Sequence, residues 1–115
     1  MSHNLEFEND FLSTTPNGRQ QPVPASAIVV HRVTGVFEEV KIFVGNTNAT
    51  DTDVGIGIDD GTNLIYFTVS GTTAGAPGWV KVLDTRVGSG AKIYMIAEAA
   101  SRLHYQGYVN RARTF

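Results

Sequence analysis

The chain has 115 residues, which is the length of one domain, and a domain of this size buries roughly two-thirds of the surface that its unfolded chain exposes. Charged residues make up 17% of the chain and the formal net charge is −2, so no long-range positive field attracts nucleic acid or an anionic membrane. The chain has no cysteine, which excludes disulfides, thiolate nucleophiles and thiolate metal sites.

The first 25 residues differ in composition from the rest and predict an extended N-terminal arm, followed by a β-sandwich domain over residues 26–115. Three of the four prolines lie in this segment. Its start, MSHNLEFEND, has no basic stretch followed by an apolar one, and no later window has the length of a membrane span, so we expect neither signal-peptide export nor a membrane partner. The large apolar side chains of the arm are unusual for a solvated linker and indicate contacts with a partner. They are Leu5, Phe7, Phe11 and Leu12.

The two ends of the chain carry opposite charge. The charged residues are Glu6, Glu8 and Asp10 up to Gly18, and Arg102, Arg111 and Arg113 near the C-terminus. Two arrangements satisfy this complementarity: the arm folds back over its own sheet, or it crosses to a neighbouring subunit. Both remain open from sequence, and in either one we expect Arg111 and Arg113 to take part in binding.

From Ser26 onward the sequence predicts short strands in quick succession, since apolar residues alternate with others at the two-residue period of a pleated strand. The runs are SAIVVHRVT (26–34), VFEEVKIFV (36–44), DVGIGID (53–59), LIYFTV (64–69) and WVKVLD (79–84). Asp60-Gly61 predicts a hairpin between the third and fourth runs. The segments NTNATDTD and GTTAGAPG have the composition of loops.

The alternation assigns side chains to faces. We expect Val30 and His31 to point to opposite sides of the first run, and Val82 and Leu83 to opposite sides of the last. Glu38 falls on the apolar side of its strand, among valines and an isoleucine. In the third run, Gly55 and Gly57 leave one face bare, so a large side chain has room to lie there.

The chain ends in AKIYMIAEAASRLHYQGYVNR (91–111), which predicts a final strand pair. Its inward residues are small or aliphatic, and its outward residues mix rings with polar groups. The inward residues are Ile93, Met95, Ala97 and Ala99, then Leu103, Tyr105 and Val109. With no convincing helical period elsewhere, the fold class is all-β: an antiparallel β-sandwich or jelly roll of about seven or eight strands.

Catalytic and metal-binding signatures are weak. The histidines, His3, His31 and His104, form no HExxH or other close pair, and no Gly-x-Ser-x-Gly elbow occurs. Asp51, Asp53, Asp59 and Asp60 offer oxygen ligands for calcium, but the two pairs fall at opposite ends of a strand, and turn formation explains them better. We therefore expect a non-enzymatic protein with no catalytic residue, cofactor or metal.

The aromatic residues are a second candidate binding set. Rings with a polar edge stack on sugar faces, although most rings in a sandwich fill its core and edges. The candidates are Tyr66, Trp79, Tyr94, Tyr105 and Tyr108. Core packing is the favoured interpretation of this set.

The stretch from about residue 36 to 110 resembles the small β-sandwich (jelly-roll) structural proteins in the virions of tailed bacteriophages. The resemblance rests on a strand ending near an asparagine, a V-x-I-x-I strand, a Leu-Asp, a glycine-rich turn and a final alternating strand. The matching residues are Val44, Asn46, Val54, Ile56, Ile58, Leu83, Asp84, Gly88, Gly90, Ile93, Ala97 and Ala99. The arm departs from this pattern.

The resemblance implies a structural virion role, most like a capsid cement or decoration protein that clamps neighbouring capsid subunits. It implies the major capsid protein as partner, a homo-oligomer on the shell, and a place on the capsid surface after synthesis in the host cytoplasm. The alternatives are a tail or head-tail component and a carbohydrate- or receptor-binding module.

Overall fold

The computed structural model describes residues 5–46, 50–72 and 79–114, and most of these residues lie in strands. Strands β1 to β5 are Leu5–Phe11, Gln21–Pro22, Ile28–Arg32, Phe37–Asn46 and Thr52–Asp59, and strands β6 to β9 are Leu64–Thr72, Val80–Gly88, Lys92–Ala97 and Leu103–Thr114. A one-turn 3-10 helix, Pro16–Gly18, lies between β1 and β2. No helix in these ranges has the length and apolar character that crossing a bilayer requires.

The strands form two antiparallel sheets. The first sheet has the order β1-β9-β4-β7, with β2 also pairing with β9, and the second has the order β3-β8-β5-β6. The predicted all-β antiparallel sandwich is confirmed. Among the described residues there are nine strands, because the N-terminal segment adds β1 and β2 to the seven strands from β3 to β9, the first of which begins at Ile28.

The core lies between the two sheets, and the final strand pair supplies much of it, as expected. Ile93 and Met95 of β8 are fully buried, and so are Leu103 and Val109 of β9. Tyr105 is also buried, and its hydroxyl is 2.8 Å from the hydroxyl of Thr14. The outward residues of both strands keep partial exposure, so the two-residue period separates core from surface here.

Register shifts break this period in three of the described strand pairs, and two of them correct face assignments. The register of β3 against β8 shifts between Val29 and His31, so Val30 and His31 are both fully buried instead of pointing to opposite faces. The register of β4 against β7 shifts in the same way, and Val82 and Leu83 are both buried. A bulge inserts one extra residue in one strand, which shifts the alternation by one position.

The β5–β6 hairpin forms as predicted. The Asp60 side chain accepts hydrogen bonds from the backbone amides of Thr62 and Asn63 at 2.9 and 2.7 Å, and Gly61 has a positive φ of 90°. The space beside Gly55 is filled by Tyr66, whose hydroxyl would overlap a Cβ at Gly55. The centres of the two predicted loops, residues 47–49 and 73–78, lie outside the described residues.

Candidate binding surface

The N-terminal segment forms the edge of the first sheet. Strand β1 pairs antiparallel with β9 of its own chain, from Leu5 opposite Thr114 to Phe11 opposite Tyr108. This is the first of the two arrangements that the sequence left open. All seven residues of β1 are exposed, so the strand is held mainly by its backbone ladder and by its charged side chains.

The apolar residues of the arm divide into two groups. Leu5, Phe7 and Phe11 are 44%, 54% and 44% exposed, and their alternation places them on the outer side of the first sheet. Leu12 is 1% exposed and belongs to the core. The first three residues are therefore available to a partner, whereas Leu12 anchors the end of β1 to the sandwich.

The outer side of the first sheet carries a cluster of rings, which we call the outer aromatic face. It consists of Phe7, Phe11, Phe37, Phe43, Trp79 and Tyr108. The Phe7 and Phe37 rings meet edge to face with centroids 6.1 Å apart, and the Phe43 and Tyr108 rings stack at 6.0 Å. Trp79 lies over the backbone of Gly45, where a Cβ would be 3.2 Å from the indole ring. The face extends across the sheet, because β1, β9 and β4 contribute rings and Trp79 directly precedes β7.

A groove runs through this face. Its volume is about 460 Å³, and its walls include Phe11, Phe43, Trp79 and Tyr108, with the Gln106 amide beside them. The size is within the range of small-molecule sites. Because the lining is mainly rings, the groove fits an apolar side chain or the flat face of a ligand.

Charged groups lie among and beside the rings of the outer aromatic face. The Lys41 ammonium lies 5.8 Å from the centre of the Tyr108 ring, and the Arg86 guanidinium lies 4.3 Å from that of Phe37. Arg86 also pairs with Glu39 at 3.1 Å, and a Lys81–Asp84 pair at 2.8 Å lies nearby. Protein interfaces commonly combine aromatic and arginine side chains with polar groups, and this face contains both.

The predicted complementarity of the two chain ends is confirmed by direct ion pairs. Arg111 donates to Glu8 at 2.9 Å and to Asp10 at 3.1 Å, and Arg113 pairs with Glu8 at 2.9 Å. Glu8 lies directly opposite Arg111 in the β1–β9 register. Arg111 is 7% exposed whereas Arg113 is largely exposed, so Arg111 holds β1 in place and Arg113 also faces solvent.

Arg111 continues inward to a buried acid. Its Nε donates to Glu38 at 2.9 Å, and Glu38 also receives the Thr34 amide at 2.8 Å. His31 accepts the Ser13 amide at Nδ1, at 2.9 Å, so its proton is on Nε2 and is donated to Glu38 at 2.5 Å. Glu38 and His31 are fully buried. The acid that interrupts the apolar side of β4 is thus surrounded by donors.

These contacts set the ionisation of the cluster. Burial by itself would raise the pKa of Glu38, but hydrogen bonds from the Thr34 backbone, His31 and Arg111 outweigh it and lower the pKa to about 2. Burial opposes the charge of Arg111 too, yet the three carboxylates raise its pKa above the ordinary value. The Phe11 backbone amide, followed by Arg111, lowers the pKa of Asp10.

The acid and imidazole groups of the described residues do not converge at an exposed site. His31 and Glu38 have no exposed surface, so neither reaches a substrate. His104 is in β9 and His31 is in β3, and these strands belong to different sheets. Asp59 and Asp60 lie at the far end of β5 from Asp51 and Asp53. No group of three or more acids and histidines suited to a metal occurs in the described ranges.

The aromatic candidates for a sugar platform do not share one surface. Trp79 and Tyr108 line the groove of the outer aromatic face, whereas Tyr105 is in the core. Tyr66 and Tyr94 lie on the second sheet, opposite each other across Gly57 of β5. Phe37 and Phe43, which complete the face, were absent from the sequence-based site. The sequence did place both residues on the outward side of the run 36–44, and this alternation was the available indication that they belong to a surface.

Comparison with known proteins gives a partial structural likeness. No protein-family model matches the sequence, and no curated protein matches it. One of the matching solved structures is described as a pentameric capsid protein isolated from metagenomic phage sequences. It is 19% identical to this chain, with a TM-score of 0.44 over 82% of this chain and 60% of that one. This chain therefore spans less than two-thirds of the length of that capsid protein.

Proposed function

We propose that the chain is a non-enzymatic structural protein of a tailed-phage virion and that it acts as capsid cement, binding neighbouring copies of the major capsid protein. The virion role rests on the sequence resemblance over residues 36–110. The observation that carries the binding mechanism is the outer aromatic face, in which six rings lie on one side of the first sheet and form two contacting pairs. Tyr108 and Phe7 there are 46% and 54% exposed.

The physical argument is that four of these rings are 37–54% exposed, and an exposed group of large apolar side chains on one side of a protein marks an interaction site. Aromatic and arginine side chains carry most of the binding energy in protein interfaces. Each aromatic side chain that a partner covers removes on the order of 150–250 Å² from water when burial is complete. At about 25 cal/mol per Å², a few half-exposed rings supply several kcal/mol before the cost of association.

The N-terminal arm has a defined part in this mechanism. Strand β1 contributes Phe7 and Phe11 to the face and places Leu5 beside them, and the exposed Arg113 pairs with Glu8 of the same strand. Leu12 and Arg111 act indirectly, because they attach β1 to the core and to Glu38. A rigid face on many copies strengthens a shell through effective concentration even when each contact is modest. In this proposal the protein sits on the capsid surface as a homo-oligomer.

The test is binding to shells assembled from the major capsid protein of the same genome, measured by co-sedimentation. We expect the double variant Phe7→Ser/Tyr108→Ser to lose at least about 10-fold in shell affinity, since two half-exposed rings contribute more than about 1.4 kcal/mol. Both side chains are exposed, so circular dichroism and the thermal midpoint should change little.

The matched control is Val36→Ser, because Val36 is 46% exposed and lies outside the outer aromatic face. It should bind shells like the unmodified protein. Equal shell binding by the double variant would remove the face from the mechanism. Location of the chain on a tail instead of the head, by electron microscopy of particles, would reject the cement role in favour of a tail or head-tail role.

The groove supports one alternative, a carbohydrate- or receptor-binding module. Rings beside an amide are a common sugar-binding combination, and Trp79 and Gln106 provide both. A glycan array with Trp79→Ala distinguishes the two functions: sugar binding that disappears with the indole would favour the module, and no glycan signal would leave the cement proposal.

A further inference from the structure

Strand β6 is one of the two edge strands of the second sheet, and it is unusual in composition. In the described residues it pairs only with β5. Its sequence, LIYFTVSGT, has no charged residue and no proline. Every other described strand longer than two residues contains at least one charged side chain.

Both sides of β6 expose apolar groups. Leu64 and Tyr66 are 67% and 60% exposed on the outer side of the sheet. Ile65 lies opposite Ile58, which packs against the core, yet Ile65 is 59% exposed. The core side of β6 is therefore not fully covered by the first sheet. A strand with free backbone groups and apolar residues on both faces is a template for another strand.

The other three sheet edges are protected. Strand β1 carries three acids, and β7 carries Lys81, Asp84 and Arg86. Strand β3 is covered by residues 13 and 14, since the Thr14 hydroxyl donates to the Val30 carbonyl at 2.5 Å and the Arg32 amide donates to the Ser13 hydroxyl at 3.1 Å. Charges and covering segments are how proteins prevent edge pairing. Strand β6 has no charge and pairs only with β5 within residues 5–46, 50–72 and 79–114, and its one irregularity is the register shift against β5 between Val69 and Thr72.

We infer that two copies of the chain associate through β6, which pairs antiparallel with β6 of the second copy to join two four-stranded sheets into one of eight strands. A second copy fits better than a foreign segment because β6 offers no counter-charge to a charged partner strand. Pairing with itself places no like charges opposite each other. The two-fold symmetry of such a contact closes it at two copies. The inference does not depend on the cement role.

The proposed register is centred on Thr68, which is the middle residue of Leu64–Thr72. Antiparallel self-pairing then brings Thr68 next to its own symmetry mate, and Ile65 of each copy lies near the far end of the other strand. Thr68 is exposed. A charge at Ile65, on the core side of the edge, is the kind of residue that natural edge strands use against pairing.

The test is the mass of the full chain in solution, by analytical ultracentrifugation. The unmodified protein should sediment with the mass of two chains and Ile65→Lys with that of one, with an unchanged circular dichroism spectrum. Val36→Lys, the same type of change at an exposed valine away from β6, should keep the mass of two chains. An unmodified protein that sediments as one chain, or an Ile65→Lys variant that is folded and still dimeric, would refute the inference.

A second measurement does not depend on the stability of that variant. Because the chain has no cysteine, Thr68→Cys introduces a single thiol, and a short bis-maleimide should cross-link two copies efficiently. Val36→Cys should cross-link poorly under the same conditions. Equal cross-linking at both positions, or none at Thr68→Cys, would reject the proposed register and the β6 interface. The dimer and the cement role are tested separately by measuring shell binding of the Ile65→Lys protein. If this protein is monomeric and still binds shells, the cement proposal stands whatever the outcome for the β6 interface.

Discussion

Replacing Glu38 by glutamine tests how the buried charges hold the two ends of the chain together. Glu38→Gln keeps the shape of the side chain but removes the negative charge that Arg111 and His31 both contact. The new amide group has one accepting oxygen in place of two, and its NH₂ group faces one of the donors that the carboxylate accepts from, namely His31, the Thr34 amide or Arg111. At least one buried donor loses its partner.

Two estimates of the cost agree. The pKa of Glu38 falls from an ordinary 4.5 to about 2, and at about 1.4 kcal/mol per pKa unit this corresponds to roughly 3–4 kcal/mol of stability from the ionised carboxylate. Removing one partner of a buried ion pair costs about 3–5 kcal/mol in other proteins. We therefore expect Glu38→Gln to lose about 3 kcal/mol of unfolding free energy at pH 7.

The lowered pKa also predicts how the contribution of Glu38 to the unfolding free energy changes with pH. Because the folded pKa of Glu38 lies below the unfolded value, its contribution is complete above pH 4.5 and is lost as pH falls toward about 2. Urea denaturation at pH 7, 4 and 3 should show the gap between the unmodified protein and Glu38→Gln becoming smaller at the acidic end. Glu39→Gln is the control, since the exposed Glu39–Arg86 pair contributes at most about 1 kcal/mol.

A gap below about 1 kcal/mol at pH 7, or one that stays constant down to pH 3, would refute this reasoning. Either result would mean that the buried carboxylate does not stabilise the fold as an ion. It would also weaken the argument that Arg111 attaches β1 to the core, because Arg111 would then depend on the half-exposed Glu8 and Asp10 alone.

Two further predictions concern packing, and chemical denaturation measures both. Leu12→Ala should cost about 2–5 kcal/mol because Leu12 is 1% exposed in the core, whereas Leu5→Ala, at a 44% exposed site, should change stability by about 0.5 kcal/mol or less. Gly107→Ala should cost about 3 kcal/mol or more because its Cβ would overlap the Lys41 carbonyl oxygen of the neighbouring strand. Gly88→Ala, with no atom within 4 Å of the new Cβ, should be nearly neutral. Equal costs within either pair would contradict the packing described here.

The parts of the fold that the sequence predicted are those with local signals. The alternation over residues 93–97 and 103–109 identified the inward faces of β8 and β9, and Asp60-Gly61 identified the hairpin. The bulges in β3 and β7 carry no comparable signal, because the extra residue is defined only against the paired strand. This is why Val30 and His31 were assigned to opposite faces, although both are buried.

The candidate site shows the same limit. The alternation in β4 placed Glu38 on the apolar side of its strand. Its partner Arg111 is 73 positions away in the sequence, so alternation could not identify it. The contact between His31 and Glu38 depends on the bulge in β3, which places His31 in the interior. The arm was predicted to be extended and oppositely charged to the C-terminal end. The arm pairs with β9, and β4 with Phe37 and Phe43 is the next strand. This strand order is not determined by the alternation of residues along the sequence.

The two proposed surfaces are compatible because of the symmetry of strand pairing. When β6 pairs with its own copy in one sheet, the two-fold axis is perpendicular to that sheet, so the core side of one copy continues as the core side of the other. The first sheets of both copies therefore lie on the same side of the joined second sheet. Their outer aromatic faces then point in one direction, and a dimer can bring both against a single shell. The second face binds at the effective concentration that the first contact sets, so pairing through β6 would convert a modest monomer contact into firm attachment.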